Sequence, residues 1–574
     1  MYYSQQKLQP IPFTHLPHDL DITSETAVKN LFGTLASRVF ASHEDIKAAL
    51  IEWSELNKAI ADELSWRYVK MSQHADDPSL ETAYNDYYAK VIAANEDLQA
   101  KFRRIVCESP FANDLDENEF GHLVHIFKNQ IELFREENIP LMIEESELAC
   151  RYAAIVSKMS VMFDGKERTP AQLAVYLKDA DREKREAAFR ARYQLFMDNA
   201  PELDQLYDDL LEKRHQIALN AGFSNYRDFK HQEMGRFAYT PQDLYTFHEA
   251  VKAEVIPFCA ELNEHRRQTL KLDSLRPWDT AVDLDGRNLK PFVTTDEFIH
   301  KAIDVLDKVY PPYAEQLAMM NNSGMLDLEN RKGKAPGGYN TSIHNLASSF
   351  IFMNHVMQHK DVVTLLHESG HAMHGAATKD INYYPYLEPP SEVAELASMS
   401  MELLTMDYWD IYYANKEDLK KAKREQLEGT LTFLPWCMTV DALQHWIYLN
   451  PQHNAKERDD AYVNIAEPYR AGVDYSGLEH MRRHGWKMQL HIYEVPFYYI
   501  EYGMAQLGAL SIYKNYRENK ARALQQYQDF LKLGYSRPVN EIYQTAGIDF
   551  NFSQEHIRDL VSFVRQELAD LDKE

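Results

Sequence analysis

Apolar residues return at every third or fourth position through most of this sequence, and that period commits the chain to packed helices. The Glu/Lys/Ala/Leu-rich segments Ala48–Trp66, Thr82–Phe102, Asn118–Glu137, Ala171–Met197 and Pro201–Asn220 carry it most clearly. No fixed-period repeat or low-complexity tract interrupts them, which argues against a solenoid. Strand signals are few. Met159–Phe163 followed by Asp164-Gly165 resembles half of a tight hairpin, and the run Tyr339–Met353, after Pro336-Gly337-Gly338, is β-branched and aromatic, with Ser349–Met353 a short strand. The fold class is therefore mainly α with a small sheet. The hairpin divides the chain into an N-terminal helical region, residues 1–165, and a second region, residues 166–574, that holds the motif described below.

Charge and cysteine usage narrow the function classes. With 62 Lys+Arg against 88 Asp+Glu the net charge is −26. Such a surface repels phosphate backbones and anionic lipid, which disfavours nucleic-acid and membrane partners. No stretch approaches the roughly 18 apolar residues of a membrane span. The opening MYYSQQKLQPIPFTHLP lacks a basic segment followed by an apolar one, so no secretory signal is expected. Cys107, Cys150, Cys259 and Cys437 lack paired spacing, which argues against both a disulfide framework and a cysteine-based zinc site and fits a reducing, cytoplasmic compartment.

The chemistry concentrates in HKDVVTLLHESGHAMHGAA, His359 to Ala377. Its apolar pattern is helical, and Asp361 stands where a helix N-terminus favours an anion. Within it, His367, Glu368 and His371 form H-E-x-x-H. Four residues apart on a helix, two imidazoles face one side and can share an ion; the adjacent carboxylate can reach a water on that ion. His374 also lies near that face, but packing or hydrogen bonding is the simpler role. An open zinc site takes a third protein ligand. The H-E-x-x-H-x-x-G-x-x-H pattern fails here, because His374 and Ala377 replace its Gly and last His. In LEPPSEVAELASMSMELL, Glu388, Glu392 and Glu395 are candidates, with Ser391 as cap of a helix running to about Met406. Seven steps of about 100° bring Glu402 to within roughly 20° of Glu395. Glu395 is therefore chosen as ligand and Glu402 as partner of a histidine ligand's second nitrogen, with Glu392 the runner-up. His480 and His484 share the four-residue spacing, but no Glu follows His480, and Arg482 and Arg483 disfavour a cation there.

HESGHAMHG, followed by AELASMSME, resembles the thimet oligopeptidase and oligoendopeptidase F family of zinc metallopeptidases, most of all its bacterial oligoendopeptidase F and Pz-peptidase branch. RHQIALNAGFSNYRDF, LRPWD, KAPGGYNTSIHN, HIYEVPFYYIEYGMAQLGAL and GYSRPVNEIYQTAGIDF extend the likeness over residues 160–560. The resemblance implies one zinc per chain on His367, His371 and Glu395, with Glu368 catalytic. It also implies a large helical zincin-type body with a deep substrate channel, and hydrolysis of internal bonds in short, unstructured peptides. Oxyanion donors are expected among His491, Tyr498, Tyr499 and Tyr502, with His491 and Tyr498 preferred; their spacing differs from the thimet branch. An extended substrate is expected to add to the Ser349–Met353 strand. Two rival readings stand beside this one: a zinc exopeptidase on the same triad, which would need a site for a free terminus, and a non-catalytic helical binding protein.

Overall fold

Ser42 accepts a hydrogen bond from the Asp45 N–H (3.2 Å) and so starts the long helix His43–Gln73, which overruns the expected Ala48–Trp66 at both ends. The computed structural model describes residues 6–286 and 289–573; the first five residues of the N-terminal stretch read for a signal lie outside them. Ala200–Asn220 matches its expected helix almost residue for residue. Asn118–Glu137 is shortened to Glu117–Leu133.

Two expected helices are broken instead of continuous. Thr82–Phe102 becomes Pro78–Tyr87, a π turn at Tyr88–Ile92, a 3-10 turn at Ala93–Asn95 and Glu96–Cys107. There the Asn95 side chain donates to the carbonyl of Val91 (2.7 Å), competing with the backbone ladder. Ala171–Met197 splits into Pro170–Val175 and Arg182–Asp198, because Asp181 accepts from the N–H groups of Glu183 and Lys184 and caps a new start.

The hairpin is present, pairing β1 (Val161–Phe163) with β2 (Lys166–Arg168). A second sheet has the order β3-β5-β4, where β3 is Leu326–Glu329, β4 is Tyr339–Ile343 and β5 is Ser348–His355. β5 pairs parallel with β3 and antiparallel with β4. Thus the Ser349–Met353 strand is central, with a neighbour on each side, and an added peptide strand cannot pair with it as expected. The edges on either side of it are β3 and β4.

Among the described residues there are three hydrophobic cores, and the two main ones do not respect sequence order. The larger joins N-terminal residues such as Trp53, Phe102 and Phe127 to Leu366, Leu396, Met504 and Tyr527. The smaller joins Tyr152, Leu203 and Tyr207 to Tyr448, Trp486, Tyr493 and Phe497. Arg214, fully buried, stitches the second core by donating to the Ile492 and Tyr493 carbonyls and to Tyr448. Among the described residues, no helix is long and apolar enough to cross a membrane.

Candidate metal centre and active site

Three elements converge on the motif. The motif helix His359–Ala377 begins where Asp361 accepts from the backbone N–H groups of Val356 (2.9 Å) and Gln358 (2.7 Å). The carboxylate helix Ser391–Leu404 packs against it, starting one residue earlier than expected: Pro390 is the cap and Ser391 the first helical residue. Gly370 permits the contact. A Cβ there would stand 2.6 Å from the Ser398 Cα and 2.8 Å from the Ala397 carbonyl. On the other side the carboxylate helix meets Tyr499–Glu518, where a Cβ on Gly508 would stand 2.6 Å from Leu396 Cδ1.

This packing gathers His367, His371 and Glu395, whose donor atoms all lie within 4.8 Å of one another. Glu395 Oε2 is 3.2 Å from His367 Nε2 and 3.6 Å from His371 Nε2. Ligands about 2.1 Å from a tetrahedral zinc stand roughly 3.4 Å apart, so the observed spacings suit one such ion. The two imidazole planes are nearly perpendicular, at 86°. His367 Nδ1 lies 2.7 Å from Glu402 Oε1, and Gln426 donates to the other Glu402 oxygen (2.7 Å). With Nδ1–H given to that carboxylate, the Nε2 lone pair is left for a cation. Ser398 donates to Glu395 Oε2 (2.9 Å) and holds the carboxylate in place.

The electrostatics differ between the two histidines: the paired carboxylates favour a protonated His367, whose extra proton a bound cation would displace, whereas His371 stays neutral. Burial alone would lower the pKa of His367, yet its bonds to Glu395 and Glu402 hold it well above the usual value. Burial opposes ionisation of Glu395, but His371, His367 and Ser398 together hold its pKa down to about 2. Burial presses His371 down to about 4, which keeps it neutral and able to ligate. Glu368 is pushed up to about 7, chiefly by burial. The donor set is two imidazoles and one carboxylate, with side chains of the histidines 19% exposed, so the cluster is reachable from solvent.

The remaining expected residues separate clearly. Tyr498 donates to Glu395 Oε1 (3.3 Å), and Tyr502 packs edge-on against it, with ring centroids 5.3 Å apart. The His491 ring stacks beside Tyr498 at 6.2 Å, its Nδ1 2.6 Å from Gln489 Nε2, while Trp436 donates to Gln489 Oε1 (2.8 Å). Burial lowers the His491 pKa to about 4. Tyr499 contacts His491 but turns its backbone towards Cys437. Glu392 is fully buried away from the histidine pair, near Tyr239 and Glu501, and Glu388 is exposed. His374 is buried against Phe530. His484 faces Asp459 at 3.7 Å, and His480 is exposed.

β4 reaches the centre through Asn340, whose side chain donates to the Glu368 carbonyl (3.1 Å) and to Ser349 Oγ (2.8 Å). Beside Tyr498 lies a cavity of about 440 Å³, adjoining a second of about 460 Å³; both include Tyr88, Ile92, Glu96, Glu233 and Met234 in their walls. The π turn that breaks the expected helix therefore forms part of this wall.

The profile of peptidase family M3 matches residues 175–561, and that of the Peptidase M3 N-terminal domain matches residues 21–134. The chain belongs to peptidase family M3. It is 26% identical to an oligoendopeptidase F homolog of Borreliella burgdorferi over 66% of this chain, a match spanning 64% of that protein's length. With the oligoendopeptidase F homolog of Lactococcus lactis subsp. lactis it shares 21% identity over 100% of this chain and 96% of the relative. Among solved structures, Pz peptidase A with an inhibitor superposes with a TM-score of 0.89 at 26% identity, covering 97% of this chain and 99% of the other. Oligoendopeptidase F from Enterococcus faecium, at 14% identity and a TM-score of 0.66 over 96% of this chain and 97% of that one, shares the fold.

In this M3 peptidase several supporting residues escape a reading of the sequence. Ser398 is local to Glu395, and its three-residue spacing is the signal that could have found it. Gln426, Asn340 and Gln489 come from distant elements, and nothing in their surroundings in the chain marks them.

Proposed function

We propose that this M3 peptidase is a zinc-dependent endopeptidase that hydrolyses internal peptide bonds of short, unstructured oligopeptides, with one zinc held by His367, His371 and Glu395. The observation that supports it most is the spacing of 3.2 and 3.6 Å from Glu395 Oε2 to the two imidazole nitrogens, which suits one tetrahedral ion. When bound, zinc supplies Lewis acidity that polarises the scissile carbonyl and makes the attacking water acidic.

The chain's own residues do the rest. Glu368 accepts the proton of the attacking water as the new C–O bond forms, then delivers it to the leaving nitrogen as the C–N bond breaks. The Tyr498 hydroxyl, with His491 beside it, donates to the carbonyl oxygen that gains charge. An extended substrate pairs its backbone with β4, the edge strand that reaches the centre through Asn340, and this reads the main chain more than particular side chains. The cavity beside Tyr498 has room for a few residues of extended chain and not for a folded domain. Free cysteines at Cys107, Cys150, Cys259 and Cys437 suit a cytoplasmic enzyme, and the acidic surface disfavours nucleic acid as a partner.

Peptides blocked at both termini test the reading. The zinc-loaded enzyme is expected to cleave them internally, and Glu368→Gln to lower kcat by about 10²–10⁴-fold while the protein keeps its zinc. A strict need for a free terminus would favour an exopeptidase. Ready digestion of intact globular proteins would contradict the size restriction.

A further inference from the structure

Around Tyr498 the chain passes from one hydrophobic core to another. Phe497 packs in the smaller core, with its ring 5.4 Å from both His445 and Tyr448, whereas Ile500 and Met504 belong to the larger. At that junction Phe497 has φ of 66°, in the left-handed region that residues with a side chain avoid. Such a conformation persists only when its surroundings hold it, and it points towards function when it sits beside an active site.

Its surroundings do hold it. Arg236 donates through Nη2 to the Phe497 carbonyl (2.6 Å) and through Nη2 and Nε to Glu501 Oε1 (2.8 and 3.1 Å). Gln444 Oε1 accepts from the Phe497 N–H (2.8 Å). All three partners are buried: Arg236 is 4% exposed, Gln444 0% and Glu501 2%. They come from three elements, namely the loop before Pro241–Thr269, the helix Leu434–Leu449 and the helix Tyr499–Glu518. Both polar backbone groups of a left-handed residue are thus fixed by side chains remote in sequence. The next residue sends its hydroxyl to Glu395, 3.3 Å away.

We infer that the Arg236–Gln444 clamp on Phe497 sets the aim of Tyr498, which makes Arg236 and Gln444 positioning residues for peptide hydrolysis. The inference rests on the reading of Tyr498 as a donor to the reacting carbonyl. Neither side chain touches substrate in this scheme. A clamp that served stability alone would pack the cores without any dependence on the tyrosine hydroxyl, and that difference can be measured.

The test is a double-mutant cycle on the full-length, zinc-loaded enzyme. Arg236→Lys, which keeps a cation for Glu501 but loses the fork, and Gln444→Met, which removes the acceptor at similar volume, are each made with and without Tyr498→Phe. Each single clamp variant is expected to lower kcat about 10-fold with KM within about twofold and zinc content unchanged; in the Tyr498→Phe background the further loss falls below about twofold. An equal loss in both backgrounds, or an effect on KM alone, overturns the inference. Gln444→Met decides the matter should Arg236→Lys fail to fold. If Tyr498→Phe by itself leaves kcat unchanged, the donor reading fails, and crystal structures then judge the clamp separately. A Tyr498 hydroxyl withdrawn from Glu395 in Gln444→Met supports it, and an unmoved hydroxyl overturns it.

Discussion

Glu402 does not belong to the proposed ligand set, yet its bond to His367 Nδ1 fixes which imidazole nitrogen faces Glu395. Glu402→Gln, which replaces a carboxylate acceptor by a neutral amide, is expected to weaken zinc binding by about 10–100-fold, read by competition with a chelator, with little change in melting temperature of the metal-free protein. Unchanged affinity would remove Glu402 from the account. Residues tied together by local spacing are legible in the sequence itself. His367 and His371 are four apart, Glu395 and Glu402 seven apart, and helical geometry alone puts each pair on one face. Residues tied only through space are not. Gln426 holds Glu402 from another helix, and Arg236 lies 265 positions from its partner Glu501. Glu392 shows the converse: spacing makes it a candidate ligand, but burial beside Glu501 pushes its pKa up and makes it part of a buried polar cluster with Arg236 and Tyr239.

Among the elements, the contact between the motif helix and the carboxylate helix carries the geometry of the proposed site. Gly370→Ala forces a Cβ against backbone atoms of Ser398 and Ala397. A cost of about 1–3 kcal/mol is expected from such overpacking, with a lower melting temperature and weaker zinc binding, because Glu395 moves with its helix. Full retention of both would show that the helices do not need this approach. The helical character of the chain is readable from its period, but the breaks are not. Asn95 and Asp181 redirect the chain through side-chain bonds to nearby backbone, and a period-3.6 pattern runs straight across such sites. The position of β5 is hidden for a different reason. Its composition marks a strand, whereas its place between β3 and β4 depends on pairing with segments elsewhere in the chain, which leaves β3 and β4 as the edges of the sheet.

At the scale of the molecule, sequence order and core membership differ. The division into residues 1–165 and 166–574 is kept as a proposal about organisation; Trp53 and Phe127 share their core with Leu366 and Leu396, while Tyr152 and Tyr207 share theirs with Tyr448 and Tyr493. Two cores that meet near Tyr498 leave cavities between elements, and the proposed substrate path runs beside that seam. Everything chemical in this account depends on a single ion held by His367, His371 and Glu395. Metal analysis of the purified enzyme beside its Glu395→Ala variant tests this most directly. The account predicts one zinc per chain in the parent and its loss from the variant at matched folding; a parent without stoichiometric zinc, or a folded variant that keeps its full complement, would contradict it.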